Sequence, residues 1–383
     1  MRLEADWLES ARLRAVIDAL GGAAYFVGGC VRNSLLGQPV ADIDITTPIE
    51  PAEVTRRLEG AGLKAVPTGI EHGTVTAVSG GEGYEVTTFR ADLTTDGRRA
   101  TVRFSTDIAE DAARRDFTMN AIYADAAGEL IDPLGGLPDI LARRVRFIGD
   151  PHDRIREDYL RILRFFRFTA WYSHDGIEAE GLAACAELAD GIDGLARERI
   201  GAEMKKLLAA PDPAPAVAAM AAAGVLARCL PGASVALLAP LVHLEAAVEV
   251  EADWMARLAA LGGENPKSAL RLSRAEAKGL SVIRALLAAP APVAVAAHCH
   301  GVRAAQAMAL LRAASGDASG LADLKAEIAR GTAAKFPLSA ADLVSAGMPP
   351  GPALGATLEA ARSRWLDSDF SLDRAILLDG ALN

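Results

Sequence analysis

Residues 28–47 read GGCVRNSLLGQPVADIDITT, and this stretch decides how the chain is read. It opens on a glycine pair, runs through VRNSLLG, a pattern that predicts a short helix closed by Gly37, and ends on Asp42 and Asp44 in an apolar run that predicts a strand. Residues two apart in a strand point to the same face, about 6.5–7 Å apart. Two carboxylates held this way can converge on one or two divalent cations. Mg2+ takes oxygen ligands, and a pair of such ions steadies the attacking and leaving oxygens of a phosphoryl displacement. A lone D-x-D equally describes an edge strand with a solvated face, and a glycine pair equally makes a plain tight turn. The combination carries more. The predicted strand at 25–27 runs straight into Gly28 and Gly29, where glycine lets backbone N–H groups come close to phosphate. The following helix start favours an anion, and Arg32 adds a two-pronged donor.

Composition places these residues in a globular chain of 383 residues, 51% hydrophobic and 23% charged, enough for two or three packed domains. No apolar run is long enough for a membrane span, and MRLEADWLES has acids where a secretory signal would be basic then apolar, so a cytoplasmic location and no membrane partner are expected. The four cysteines, Cys30, Cys185, Cys229 and Cys299, form no CxxC pair and are expected to be buried thiols. The net charge of -10 argues against a nucleic-acid partner on its own. Between residues 140 and 170, however, eight arginines face four acids, a basic island that is either an ion-paired helix face or a binding surface.

The first ~150 residues carry short β-rich runs (AAYFV, DIDIT, GTVTAVS, YEVTTF) separated by glycine turns and short helical patterns. From about Arg154 onward strand signals vanish, and Ala/Leu-rich segments broken at proline-containing sites predict helices joined by short loops. The fold class expected is α+β: a mixed sheet with helices, then an all-α C-terminal region.

Strand, GG-x-V-R, short helix ending in LG, then D-x-D resembles the nucleotidyltransferase palm of the DNA polymerase β superfamily, specifically the class II tRNA nucleotidyltransferase and bacterial poly(A) polymerase family. Further segments continue the resemblance: RRDFTMNA (114–121) is similar to the family's ribose-recognition motif, DPLGGLPDI (132–140) to its head-to-neck hinge, EDYLRILR (157–164) to its base-selecting helix, and LARERIGAE (195–203) to a fifth motif that braces that helix. The resemblance covers roughly residues 25–205. It implies a head at 1–140, a helical neck at 141–213 and a tRNA-binding helical body at 214–383, with no protein partner foreseen.

The implied site has Asp42 and Asp44 as catalytic metal-binding carboxylates for two Mg2+ ions, with Glu85 as a third carboxylate or merely an exposed strand residue. Gly28, Gly29, Arg32 and Arg115 are implied for the triphosphate, and Asp116 and Asn120 for the ribose, the latter two sharing a face if RRDFTMNA is helical. Asp158 and Arg161, three apart on one helix, are implied for the nucleobase, with Glu157 and Arg164 in support. A carboxylate beside a guanidinium matches the donor and acceptor order of cytosine and adenine and leaves uracil and guanine unpaired, so a protein pair can act as template. The implied reaction is attack of a tRNA 3′-OH on the α-phosphate of CTP or ATP with release of pyrophosphate. Residues 91–104, ADLTTDGRRATVRF, resemble the flexible loop of full CCA-adding members, with Arg90 at its hinge. GIEHGTVTAVS (69–79) is closer to tRNA-specific members than to poly(A) polymerases. Poly(A) addition or partial (A- or CC-) addition are the alternatives. One departure stands out: the family reads GG-x-V-R-D, and this chain has Asn33 in place of the final aspartate.

Overall fold

The structure is a computed structural model that describes residues 1–70, 73–96, 99–174 and 176–382, with 92–96 and 99–102 described by backbone only. Residues 71 and 72 of the GIEHGTVTAVS segment and the tip of the 91–104 segment therefore lie outside the described residues. Two compact units divide the chain, Met1–Pro231 and Gly232–Asn383.

The first unit begins with α1 (Ala11–Ala19), started by Ser10, whose hydroxyl accepts the Leu13 N–H. A mixed seven-stranded sheet follows in the order β3 (Lys64–Gly69), β4 (Thr74–Ser79), β5 (Glu82–Thr88), β2 (Asp44–Thr47), β1 (Tyr25–Val27), β8 (Tyr123–Ala124), β9 (Leu130–Ile131). Only β2 and β5 pair in parallel, a register that sets Asp44 opposite Glu85. Along β4 every second residue is buried, the period-two pattern of a half-buried strand. The helices α1 and α3 (Pro51–Gly60) pack on β4 with Leu13, Val16, Val54 and Leu58 buried beside Val75 and Ala77. A second apolar cluster gathers Val27, Phe89, Ala112, Tyr123 and Ile148, joining β1 and β8 to α4 (Ile108–Ala113). Between β1 and β2 sits α2 (Gly29–Leu35), after which Gly37 turns the chain with φ +64°.

Several local expectations change. Asp42 lies before β2 rather than within it, so only Asp44 is held by strand pairing. The segment expected as a loop at 91–104 forms an antiparallel hairpin, β6 (Arg90–Asp96) with β7 (Arg99–Phe104), as its β-branched Thr and Val residues favour. RRDFTMNA is not helical: α4 ends at Ala113, Phe117 is extended, and a single 3-10 turn covers Thr118–Asn120. Three cysteines are buried, and Cys299 is exposed.

No strand follows β9 among the described residues. The neck starts with α5 (Leu137–Leu141) and α6 (Pro151–Glu157), the latter capped by Asp150, which accepts the His152 and Asp153 N–H groups. The helix expected through EDYLRILR is broken. Asp158 is extended (φ −155°, ψ 106°), and α7 (Leu160–Tyr172) starts afresh beyond it. Phe165 and Phe168 of α7 pack on Phe117, which also stacks near Phe147, so the neck helix is fixed to the ribose-motif segment by aromatic contacts with ring centroids 4.9–6.4 Å apart. Helix α8 (Ala179–Glu187) packs on α6, and α9 (Arg197–Leu208) packs along α7, joined by Arg167 to Glu203 at 2.5 Å.

In the second unit every described element is a helix. One apolar cluster includes Ala296, Ala297, Ala304, Ala305 and Ala309 around Met308, small side chains that let helix axes approach. Gly331 lies so close to Ala294 that an added Cβ would sit 2.0 Å from its carbonyl oxygen. A buried ion pair joins α10 (Leu238–Ala247) to α11 (Trp254–Leu261): Arg257 donates to Glu245 Oε2 from Nε (2.9 Å) and Nη2 (2.7 Å). No described helix is long and apolar enough to cross a membrane.

Candidate active site

The turn after β1 places its residues by backbone geometry. Gly28 has φ +74°, and a Cβ there would lie 3.8 Å from Arg115 Nη1 and 3.9 Å from Asp44 Oδ2. Gly28 thus marks a gap between a guanidinium and a carboxylate, in a conformation that disfavours other residues. Asp42 and Asp44, with Glu85 on the neighbouring strand, line one cleft of about 680 Å³ together with Thr76, Glu82 and Tyr84. Among the described residues no hydrogen bond or ion pair neutralises Asp42, Asp44 or Glu85. Asp44 is open to solvent at its edge, yet the protein around it removes enough water to raise its pKa above the ordinary carboxylate value; the charge of Glu85 adds to the rise, and Arg115 opposes it. No three His, Cys, Asp or Glu side chains among the described residues converge closely enough to hold a metal ion unaided.

Arg115 is aimed by its neighbours. Its Nη2 donates to Asp111 (2.9 Å) and its Nε to the Tyr123 hydroxyl (3.1 Å), leaving Nη1 toward the Gly28 turn. Asp111, which is fully buried, also accepts from Arg114 and Tyr123 and from the Arg90 N–H at the foot of the β6–β7 hairpin. Burial alone would raise its pKa, but Arg115, Arg114 and Tyr123 outweigh burial and hold it at about 2. Sequence reasoning passed over Asp111. Its spacing, three before Arg114 and four before Arg115 where a short helix ends, is the available signal.

Asp116 and Asn120 do meet, without a helix. Asn120 Nδ2 donates to Asp116 Oδ1 (2.8 Å), and Arg164 Nε donates to Asp116 Oδ2 (2.7 Å). Burial pushes the Asp116 carboxyl up, and Arg164 with Asn120 carries it below the ordinary value. Arg164, expected only in support, is thus a direct partner of the ribose-motif aspartate. Arg32 differs from expectation too. It is buried, and four of the five N–H donors of its fork are engaged by Asn33 Oδ1 (two), Asn120 Oδ1 (2.5 Å) and the Tyr172 hydroxyl (2.7 Å), while its plane lies over the Tyr172 ring. It braces Asn120 rather than reaching into the Gly28 gap.

The base-motif pair is arranged differently from two side chains presented three apart on one helix. Asp158 Oδ2 accepts from Arg199 Nη2 of α9 (2.6 Å), and Oδ1 accepts the Leu160 N–H (3.1 Å). Arg161 pairs with Glu157 and donates to the Arg154 and Arg114 carbonyls. Asp158 and Arg161 do not bond each other, because the break at Asp158 turns its side chain toward α9. Arg199 comes from the fifth motif, so the expected brace on the neck acts on the aspartate itself.

Residues 24–146 match the family described as "Poly A polymerase head domain", and residues 176–237 the one described as "Probable RNA and SrmB- binding site of polymerase A". The chain is 42% identical over 208 residues to the CCA-adding enzyme of Leuconostoc citreum, covering 54% of this chain and 50% of that protein. It is 43% identical over 187 residues to the human mitochondrial CCA tRNA nucleotidyltransferase 1, covering 47% and 42%. The match thus spans about half the length of these curated relatives. Its fold is similar to that of the Bacillus stearothermophilus CCA-adding enzyme in complex with CTP (TM-score 0.74, 28% identity, 97% of this chain and 96% of that chain). A likeness of fold extends to the Thermotoga maritima CCA-adding enzyme complexed with tRNA (TM-score 0.71, 23% identity, 100% and 96%).

Proposed function

We propose that the chain, whose residues 24–146 match the poly A polymerase head domain family, is a template-independent tRNA nucleotidyltransferase that adds C, C and A from CTP and ATP to a tRNA 3′ end. The observation that carries this reading is the gap beside Gly28, flanked by Arg115 Nη1 on one side and the unneutralised Asp44 on the other. A triphosphate seated there has a guanidinium for its anionic oxygens and carboxylates for its cations. The relatives named CCA-adding enzyme and CCA tRNA nucleotidyltransferase support tRNA as substrate, and a cytoplasmic location is part of the same proposal.

The residues fit Mg2+. Asp42 and Asp44 offer hard oxygen ligands on one cleft, and among the described residues no hydrogen bond or ion pair neutralises either. Mg2+ is commonly held by one or two carboxylates plus substrate phosphates rather than by an all-protein cage, which matches the lack of a three-ligand cluster among the described residues. Asp42 and Asp44 would hold it, with Glu85 beside them raising the local negative charge. When bound, the ion supplies charge neutralisation and a lowered pKa for the attacking hydroxyl.

The chain's own residues do the positioning. Gly28 and Gly29 admit the phosphates, and Arg115, held by Asp111 and Tyr123, meets them. The carboxylate of Asp116, fixed by Arg164, and the Asn120 amide, fixed by Arg32, face the ribose. Asp158 and Arg161 read the base edge. Their present partners, Arg199 for Asp158 and Glu157 for Arg161, hold each group on station, so the correct base must compete for charged groups already placed. By this reading residues 1–140 are the catalytic head, 141–213 the selecting neck and 214–383 the tRNA-gripping body.

The test is incorporation of each of the four NTPs into a tRNA lacking its terminal CCA. Ordered addition of C, C and A, ending after three residues, is expected. Continued A addition would make the chain a poly(A) polymerase, and C or A alone a partial enzyme.

A further inference from the structure

Asn33 stands where the resembling family carries an aspartate, and its amide is used at both ends. The Oδ1 accepts from Arg32 Nε (3.1 Å) and Nη2 (2.9 Å), and from the Tyr172 hydroxyl at 3.4 Å. The Nδ2 donates to the Pro39 carbonyl at 2.9 Å. Chemistry fixes this orientation. A guanidinium only donates and a carbonyl only accepts, so the amide oxygen must face Arg32 and the nitrogen must face Pro39. An ionised carboxylate would satisfy Arg32 equally well but would set negative charge against the Pro39 oxygen.

Each partner leads to one half of the site. Pro39 lies on the strand-free segment 38–43 that carries Asp42, a carboxylate no strand pairing holds. Arg32 passes Nη1 to Asn120 Oδ1 (2.5 Å), Asn120 passes Nδ2 to Asp116 (2.8 Å), and Asp116 is gripped by Arg164 from the neck. One side chain therefore ends a continuous chain of hydrogen bonds that runs from the carboxylate-bearing segment to the ribose-motif pair.

We propose that Asn33 is a positioning residue that ties the segment delivering Asp42 to the Arg32–Asn120–Asp116 clamp, so that carboxylate placement and sugar selection are set by one amide. This rests on the nucleotidyltransferase reading above, and its two arms separate the effects. Asn33→Asp keeps the Arg32 contact and loses the Pro39 contact. Backbone amides of 36–43 should then exchange with deuterium about tenfold faster, the loss of roughly one hydrogen bond, while the ratio of kcat/KM for CTP over dCTP stays near that of the unaltered chain. Asn33→Ala loses both contacts, so the exchange rises and the CTP/dCTP ratio also falls about tenfold or more. Unchanged exchange in Asn33→Asp overturns the tie to Pro39, and an unchanged sugar ratio in Asn33→Ala overturns the tie to the clamp. If Asn33→Ala does not fold, Asn33→Ser, too short to span both partners, takes its place under the same criteria. Hydrogen exchange needs no turnover, so an unaltered protein that adds nothing to truncated tRNA would sink the reading of function while the Asn33→Asp exchange still decides the tie.

Discussion

The two units bury different things. Of the fifteen buried polar or charged side chains among the described residues, thirteen lie in Met1–Pro231, including Arg32, Asp111, Asp116, Asn120 and Asp139. Among the described residues of Gly232–Asn383 the buried polar or charged side chains are Glu245 and Arg257, and they pair with each other amid alanine and leucine packing. Buried polar groups are costly unless satisfied, and once satisfied they fix one arrangement. The first unit accepts that cost at the site, where Asp111 aims Arg115, Asp116 grips Arg164, and Asn33, Asn120 and the Tyr172 hydroxyl hold Arg32. The second is held mostly by close apolar packing, which gives a firm scaffold with little chemistry.

Substitutions can break this contrast, and the largest effect belongs to Asp44. Asp44→Asn should lower nucleotide incorporation about 10³–10⁴-fold, equivalent to about 4–5.5 kcal/mol of barrier. It should not lower the melting temperature in metal-free buffer. The folded state raises the pKa of Asp44, so its contribution to stability is present below the unfolded value and is lost as pH rises through the folded value. An uncharged residue removes that penalty, and a clear drop in melting temperature would mean that Asp44 holds the fold rather than the reaction.

In the second unit the effect should appear in stability alone. Arg257→Met strands a buried carboxylate and should cost about 3–5 kcal/mol by denaturant unfolding, whereas the double change Arg257→Met with Glu245→Leu should recover most of it. Equal losses in the single and double variants would show that apolar packing does not suffice there.

Asp158→Ala removes an acceptor from the proposed base reader and frees Arg199. Discrimination between CTP and UTP should fall about 10²-fold with little change in melting temperature. A ratio equal to that of the unaltered chain would remove Asp158 from base reading. The smallest effect should come from Asp111→Asn, which loosens Arg115 without touching substrate: KM for CTP should rise about tenfold, the equivalent of one charged hydrogen bond. The folded pKa of Asp111 is about 2, so its stabilisation is complete above the ordinary carboxylate value and lost as pH falls toward 2. Asp111→Asn should therefore flatten the acid limb of an unfolding curve over that window.

How far the sequence could be read follows from the range of the interactions involved. The glycine turn, the strands at 25–27, 74–79 and 82–88, and the helical second half are local patterns, and they appear where the pattern put them. Propensity over 157–164 favours helix throughout, whereas the break at Asp158 accompanies a partner 41 residues away, Arg199. Asp116 and Asn120 were brought together by an extended residue and a 3-10 turn, a geometry with no periodic signature.

The sequence by itself determined the class of fold, the order of motifs and the residue types that the chemistry requires, since turn glycines, paired acids and hydrophobic periods act over a few residues. Only the tertiary structure decided which group faces which. Arg32 turned inward to Asn120 and Asn33, Arg164 became the partner of Asp116, and Asp111 aimed Arg115. Those choices depend on contacts such as Arg32 with Tyr172, 140 residues apart, and side-chain direction at that separation is set by packing, which no local pattern encodes.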